Sequence, residues 1–380
     1  MNFHKNVVNL FFYLGTLFLT LNILTYQALH LAQYKYILRF AGIGMFFLAM
    51  VMKPNALIKR FGLMLIVLYS GIMVTFVLGN ASGIYMNMIA IVAIMFASHN
   101  VASKDLLKIF FCVAILSVLA WILLLLTGQI FITETEATRQ VGWGESMYAI
   151  QTVRYSLGFF NEINLGSWYL STAMVTILLY KGMERKLVIL FSVFELCLFL
   201  ITDSRQVLFF YMLFIIIYYW LCSIKSSVIM EISKRIIQIL YVIILLGYFS
   251  IGWFGEKVPW LDGYLSGRVS IIRDNIQGVS LRNYYFGGID LALNSSYWML
   301  LLSFGVFFYL YICNLIIKGS NYYLSNNYAI FSFVFSMLLV GLVESVLLNV
   351  EELSTIVFWG LISRGLVYIE KNDGDRQIYD

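Results

Sequence analysis

Residues 187–222 read LVILFSVFELCLFLITDSRQVLFFYMLFIIIYYWLC. The only charged side chains in this run are Glu195, Asp203 and Arg205. A helix crossing lipid takes about 20 mainly apolar residues, because every backbone polar group must find its partner within the segment. The run is too long for one crossing, and Asp203 and Arg205 fall near its middle. It therefore predicts a helical hairpin that turns at the charged pair.

The rest of the chain extends this pattern. Apolar residues make up 61% of the 380 and charged residues 12%, roughly half the charge fraction of a water-soluble domain. Twelve apolar stretches have helical length: 7–26, 36–52, 61–78, 84–98, 106–127, 165–180, 187–202, 207–222, 236–251, 297–317, 328–348 and 353–369. The expected fold is an all-α polytopic integral membrane protein of about twelve transmembrane helices, one membrane domain over 1–380. Lysine sets the orientation. With the N-terminus inside, only Lys35 and Lys257 fall on the outer side, so both termini are expected in the cytoplasm. That topology leaves two long outer loops, 128–164 leading into the sixth helix and 252–296 between the ninth and tenth. The first apolar run lacks a small-residue cleavage site, so no cleaved signal peptide is expected.

Several chemistries find no support in the sequence. There is no Walker loop, GxGxxG, HExxH or GxSxG pattern, and so no motif for ATP, dinucleotide, zinc or serine-hydrolase chemistry. Three histidines are too few for a histidine metal cluster. Cys112, Cys197, Cys222 and Cys313 lie in apolar helices and form no CxxC, so they read as small packed side chains. No cofactor, metal or nucleic-acid partner is expected.

The charged residues at helix ends carry the candidate chemistry. Arg154, Arg205 and Arg268 each stand near an outer boundary, on separate segments. A planar guanidinium binds phosphate oxygens bidentately and keeps its charge, so three converging arginines would suit one anionic group. Three unrelated surface arginines are the simpler reading of the same residues. Asp203 is two residues from Arg205 and on a helix would face another way. Arg273 need not share a helical face with Arg268, and Arg282 is a weaker candidate. Glu344 interrupts an apolar helix near its outer end, where a carboxylate needs a partner. It can pair with arginine, hold a sugar hydroxyl or accept a proton. Glu195 sits in mid-helix, where a helix–helix hydrogen bond is the plain role. Asn161, Glu162 and Asn164 form a polar helix entry that can cap the helix or bind hydroxyls. Gly267, Gly287 and Gly288 read as turns.

Four stretches carry a resemblance: VRYSLGFFNEINLG (153–166), TDSRQVLFF (202–210), LSGRVSIIRDNI (265–276) and YYFGGIDLALNSSYWMLLLSFGVFF (284–308). With the helix count and large outer loops, the chain resembles the Wzy-type polysaccharide polymerases and, more distantly, the O-antigen ligases. The family's arginine before the Gly-Phe helix entry falls on Arg154, with Asn164 as its asparagine. Its Ser-Arg falls on Ser204 and Arg205, and its Gly-Arg on Gly267 and Arg268. Its last motif falls on Asn294, Ser295 and Tyr297. Ligases tend to place a histidine beside that asparagine, and Leu293 stands there instead.

The resemblance implies a GT-C-like bundle and a metal-independent glycosyltransferase working without a cofactor. It would join undecaprenyl-diphosphate-linked repeat units at the outer face of the bacterial cytoplasmic membrane, for capsule, O-antigen or exopolysaccharide. Its implied partners are lipid-linked glycans, membrane lipid, a flippase and a chain-length regulator. Arg154, Arg205, Arg268 and Glu344 would be the catalytic residues. Asn161, Asn164, Asp203, Arg273, Asn294 and Tyr297 would hold substrate. A ligase and a transporter of lipid-linked oligosaccharide are the alternatives.

Overall fold

The computed structural model describes residues 2–25, 32–52, 83–130, 134–141, 148–155, 162–180, 184–202, 205–224, 228–229, 231–239, 242, 268–289 and 295–376. Helices stand where the apolar runs are. They are α1 (Asn2–Ile23), α2 (Ala32–Val51), α3 (Gly83–His99), α4 (Ser103–Leu126), α5 (Glu162–Leu179), α6 (Glu184–Thr202) and α7 (Arg205–Ser223), followed by α8 (Arg268–Ile276), α9 (Leu281–Phe286), α10 (Ser296–Phe304), α11 (Val306–Asn326), α12 (Tyr328–Val343) and α13 (Leu353–Arg376). The run at 187–222 divides into α6 and α7 on either side of 203–204. The expected run at 61–78, and most of that at 236–251, lie outside the described residues.

Helix α13 is the axis of the bundle. It packs against α3, α4, α5, α11 and α12. Leu353, Ile356, Val357, Phe358, Trp359, Leu361 and Ile362 are all fully buried. Polar groups tie it to its neighbours. Tyr323 on α11 donates to the Leu361 carbonyl at 2.9 Å. Ser363 donates to the Met95 carbonyl on α3 at 2.5 Å. Arg364 donates to the His99 carbonyl at 2.8 Å, and so places a cation where the α3 dipole is negative.

The expected run at 297–317 is broken. Gly305 takes φ +84°, separating α10 from α11. It lies against the turn after α9, where Gly287 has φ +77°. A Cβ on Gly287 would stand 2.3 Å from the Ser303 carbonyl oxygen, and one on Gly305 would stand 2.3 Å from that of Tyr285. Both the backbone angle and the contact require glycine. The 128–164 segment also holds a departure from all-α: β1 (Glu134–Val141) and β2 (Tyr148–Tyr155) form an antiparallel hairpin, Glu134 opposite Tyr155 and Thr135 opposite Arg154. Its Thr, Val, Ile and Tyr content suits a pleated strand.

The expectation of about twelve transmembrane helices is corrected. Among the described residues, two helical spans are long and apolar enough to cross a membrane, Lys5–Ile23 and Ser103–Leu126. The other apolar helices meeting the composition test run 10–17 residues. The physical reason is burial: a helix apolar on all sides is either a membrane span or an interior helix, and α13 is interior. A buried ion pair between Arg39 and Glu351 also lies within the bundle. The multi-pass inner-membrane location, with both termini cytoplasmic and an extracytoplasmic site, depended on the twelve crossings and is corrected with them.

Candidate functional site

One described region gathers buried charge: the segment between α12 and α13. Glu344 ends α12 in an extended conformation, φ −135° and ψ 153°. A short 3-10 turn follows over Ser345–Leu347. Ser296, at the start of α10, holds this segment from one side. Its N–H and hydroxyl both donate to the Glu344 carbonyl, at 3.1 and 2.9 Å. Its hydroxyl oxygen accepts from the Leu347 N–H at 3.0 Å. Helix α13 holds it from the other. Thr355 donates to the Val346 carbonyl, and the Trp359 indole donates to that of Leu347 at 2.8 Å. The backbone presenting Glu344, Glu351 and Glu352 is thus fixed at both ends.

Arg39 on α2 and Glu351 are both buried. The guanidinium Nε lies 3.8 Å from a Glu351 carboxylate oxygen, an ion pair too long to be a hydrogen bond. That same oxygen accepts from the Asn22 amide of α1 at 2.9 Å. Glu352, the next residue, is also buried. It accepts from the Asn349 amide at 2.9 Å and from the Ser354 hydroxyl at 3.5 Å. Burial pushes its carboxyl from an ordinary 4.5 up to about 8, and the nearby Glu344 and Glu351 charges push the same way. The Asn349 and Ser354 hydrogen bonds only partly oppose this. Two consecutive glutamates therefore differ: Glu351 is half of an ion pair, while Glu352 keeps its proton at neutral pH. Glu344 and Asn349 are less buried than Glu351 and Glu352, so the cluster meets the surface along their edge.

The residues singled out in the sequence are described only in part. Glu344 belongs to this cluster. Tyr297 lies beside Ser296 in the core, 1% exposed, with its hydroxyl donating to the Leu338 carbonyl of α12 at 2.9 Å. Arg273 lies on α8 and pairs with the adjacent Asp274 at 3.1 Å. Arg205 begins α7, Arg268 begins α8, Arg154 sits in β2 and Asn164 in α5, but their side chains lie outside the described residues. Asn161, Asp203 and Asn294 lie wholly outside them. Glu195 is 2% exposed, and one of its carboxyl oxygens has no hydrogen-bond partner among the described residues. No group of three or more His, Cys, Asp or Glu among the described residues could hold a metal ion.

The sequence reading missed Glu351, Glu352, Arg39 and Asn22. A paired acid directly before the last apolar run was the available signal. Its partners lie on α1 and α2, far away in the chain.

No family model, curated protein or solved structure matches the chain. The polysaccharide-polymerase function, with its ligase and transporter alternatives, is corrected on two findings. The multi-crossing architecture it requires is not the one observed, and no match ties the chain to glycan assembly.

Proposed function

We propose that the protein is an enzyme using Glu352 as a general acid–base. The supporting observation is the contrast between adjacent carboxyls, Glu351 ion-paired to Arg39 and Glu352 held neutral by burial. Environments that separate the protonation of neighbouring groups are how one site supplies both an acid and a charge. A carboxyl with a pKa of about 8 is protonated at neutral pH. It can give that proton to a leaving oxygen and take one back from an incoming hydroxyl. Glu351 acts through Glu352 as a positioning residue, since its fixed charge helps keep the neighbouring proton in place. Arg39 and Asn22 keep that charge tolerable inside the bundle. Asn349 orients the Glu352 carboxyl at the edge where the cluster meets the surface.

The experiment compares purified wild-type protein with Glu352→Gln, each incubated with fractionated lipid-soluble and water-soluble small molecules, with mass spectrometry reading what is consumed and formed. Glutamine keeps the shape and the Asn349 contact but has no acidic proton. The expected result is at least one conversion made by wild type and lost in the variant, with a rate that changes around pH 8. If every conversion survives the substitution, or none occurs, the proposal is wrong.

A further inference from the structure

A second feature lies at the opposite end of α1. Asn6 and Asn22 are separated by about 24 Å along the axis, at 1.5 Å per residue. Here α1 packs against α4, and a groove of about 390 Å³ opens between them. Its polar wall is Asn6, Asn9 and Lys108, and its apolar wall includes Leu10, Tyr13 and Cys112. Two facts bear on its occupant. These two helices contain the spans long and apolar enough to cross a membrane, and the groove lies toward the N-terminal end of each. The charge there is unbalanced: Lys5, Lys104 and Lys108, the last two one helical turn apart on α4, stand against Asp105, which pairs with Lys5 at 2.8 Å and also feels the Lys108 charge; of these, Lys108 lines the groove.

We propose that this groove binds one anionic phospholipid, for which phosphatidylglycerol is the probe. The phosphate lies by Lys104 and Lys108, where a basic residue at a membrane surface contributes about 1 kcal/mol, or about fivefold in affinity. The acyl chain runs along Leu10, Tyr13 and Cys112 and onward over α4, whose Leu116, Leu119 and Leu123 are exposed. The site does not depend on the acid cluster, so either proposal can fail without the other.

Cys112 is exposed and reports occupancy directly. The full chain in neutral detergent is alkylated with a maleimide, and peptide mass spectrometry reads Cys112 alone. Phosphatidylglycerol, phosphatidylcholine and inorganic phosphate are titrated in parallel. Phosphatidylglycerol should slow Cys112 alkylation, and the other two should not. Lys108→Gln should weaken that protection about fivefold, and adding Lys104→Gln should weaken it further. The lipid-free alkylation rate and circular dichroism show whether each variant is folded. If one is not, the wild type in about 1 M salt replaces it, because a Debye length near 3 Å screens the lysines. Equal protection by phosphatidylcholine would mean an apolar groove only, and equal protection by inorganic phosphate a free-anion site. Either result overturns the proposal, as does no protection, or protection indifferent to both the lysines and salt.

Discussion

At the residue scale, Glu352 carries a pH signature with a definite sign. Its folded pKa of about 8 stands above the ordinary 4.5. Between those values the folded protein holds a proton that the unfolded chain has released. The contribution to stability is therefore fully present at acid pH, is lost as pH rises through this window, and is level above it. Thermal unfolding midpoints should fall from about pH 5 to about pH 8, and Glu352→Gln should flatten that slope. An identical slope in the variant would refute the assignment. Arg39 gives a second prediction. Arg39→Met leaves Glu351 buried without its ion pair and should cost roughly 3–5 kcal/mol in denaturant unfolding. The double variant Arg39→Met with Glu351→Met should recover most of that loss, because apolar residues can replace a buried pair. A double variant no more stable than the single would show that the pair matters for more than charge balance. Of this site, only Glu344 was legible in the sequence, as an acid interrupting an apolar helix. Glu351 reads as an ordinary polar boundary until Asn22, 329 residues away, is seen donating to it. No local pattern encodes that contact.

At the element scale, helix positions were readable and their surroundings were not. Apolar runs fixed α1, α3, α6 and α7 to within a few residues, because helix length and hydropathy are local properties. Whether such a helix faces lipid or protein depends on what covers it. Helix α13 is packed among other helices, whereas α4 exposes Leu119, Leu123 and Leu126, yet both sequences are simply apolar. Close packing supplies the test. A Cβ on Gly365 of α13 would stand 2.3 Å from the Gly319 carbonyl oxygen of α11. Gly365→Ala must separate two helices and should destabilise by about 1–3 kcal/mol or more. Gly44 of α2 has nothing within 4 Å of its Cβ position. Gly44→Ala should therefore be neutral or stabilising by up to about 1 kcal/mol from helix propensity. Equal effects at the two sites, in the same unfolding experiment, would contradict the packing.

At the scale of the whole molecule, a buried helix axis joins two polar ends with different tasks: a fixed acid cluster near the α12–α13 connection and a basic groove between α1 and α4. The exposed apolar face of α4 makes its own prediction. Leu119→Glu with Leu123→Glu should reduce co-sedimentation with phospholipid vesicles several-fold, while stability shifts by no more than about 0.5 kcal/mol per site. Unchanged co-sedimentation would remove α4 from the lipid contact. The central claim, a neutral Glu352 beside an ion-paired Glu351, is tested most directly by infrared difference spectroscopy across a pH titration. Wild-type protein should show a protonated-carboxyl band that disappears with a midpoint near pH 8, and Glu352→Gln should lack it. A band of the same size and midpoint in both proteins, or none in either, would contradict the account.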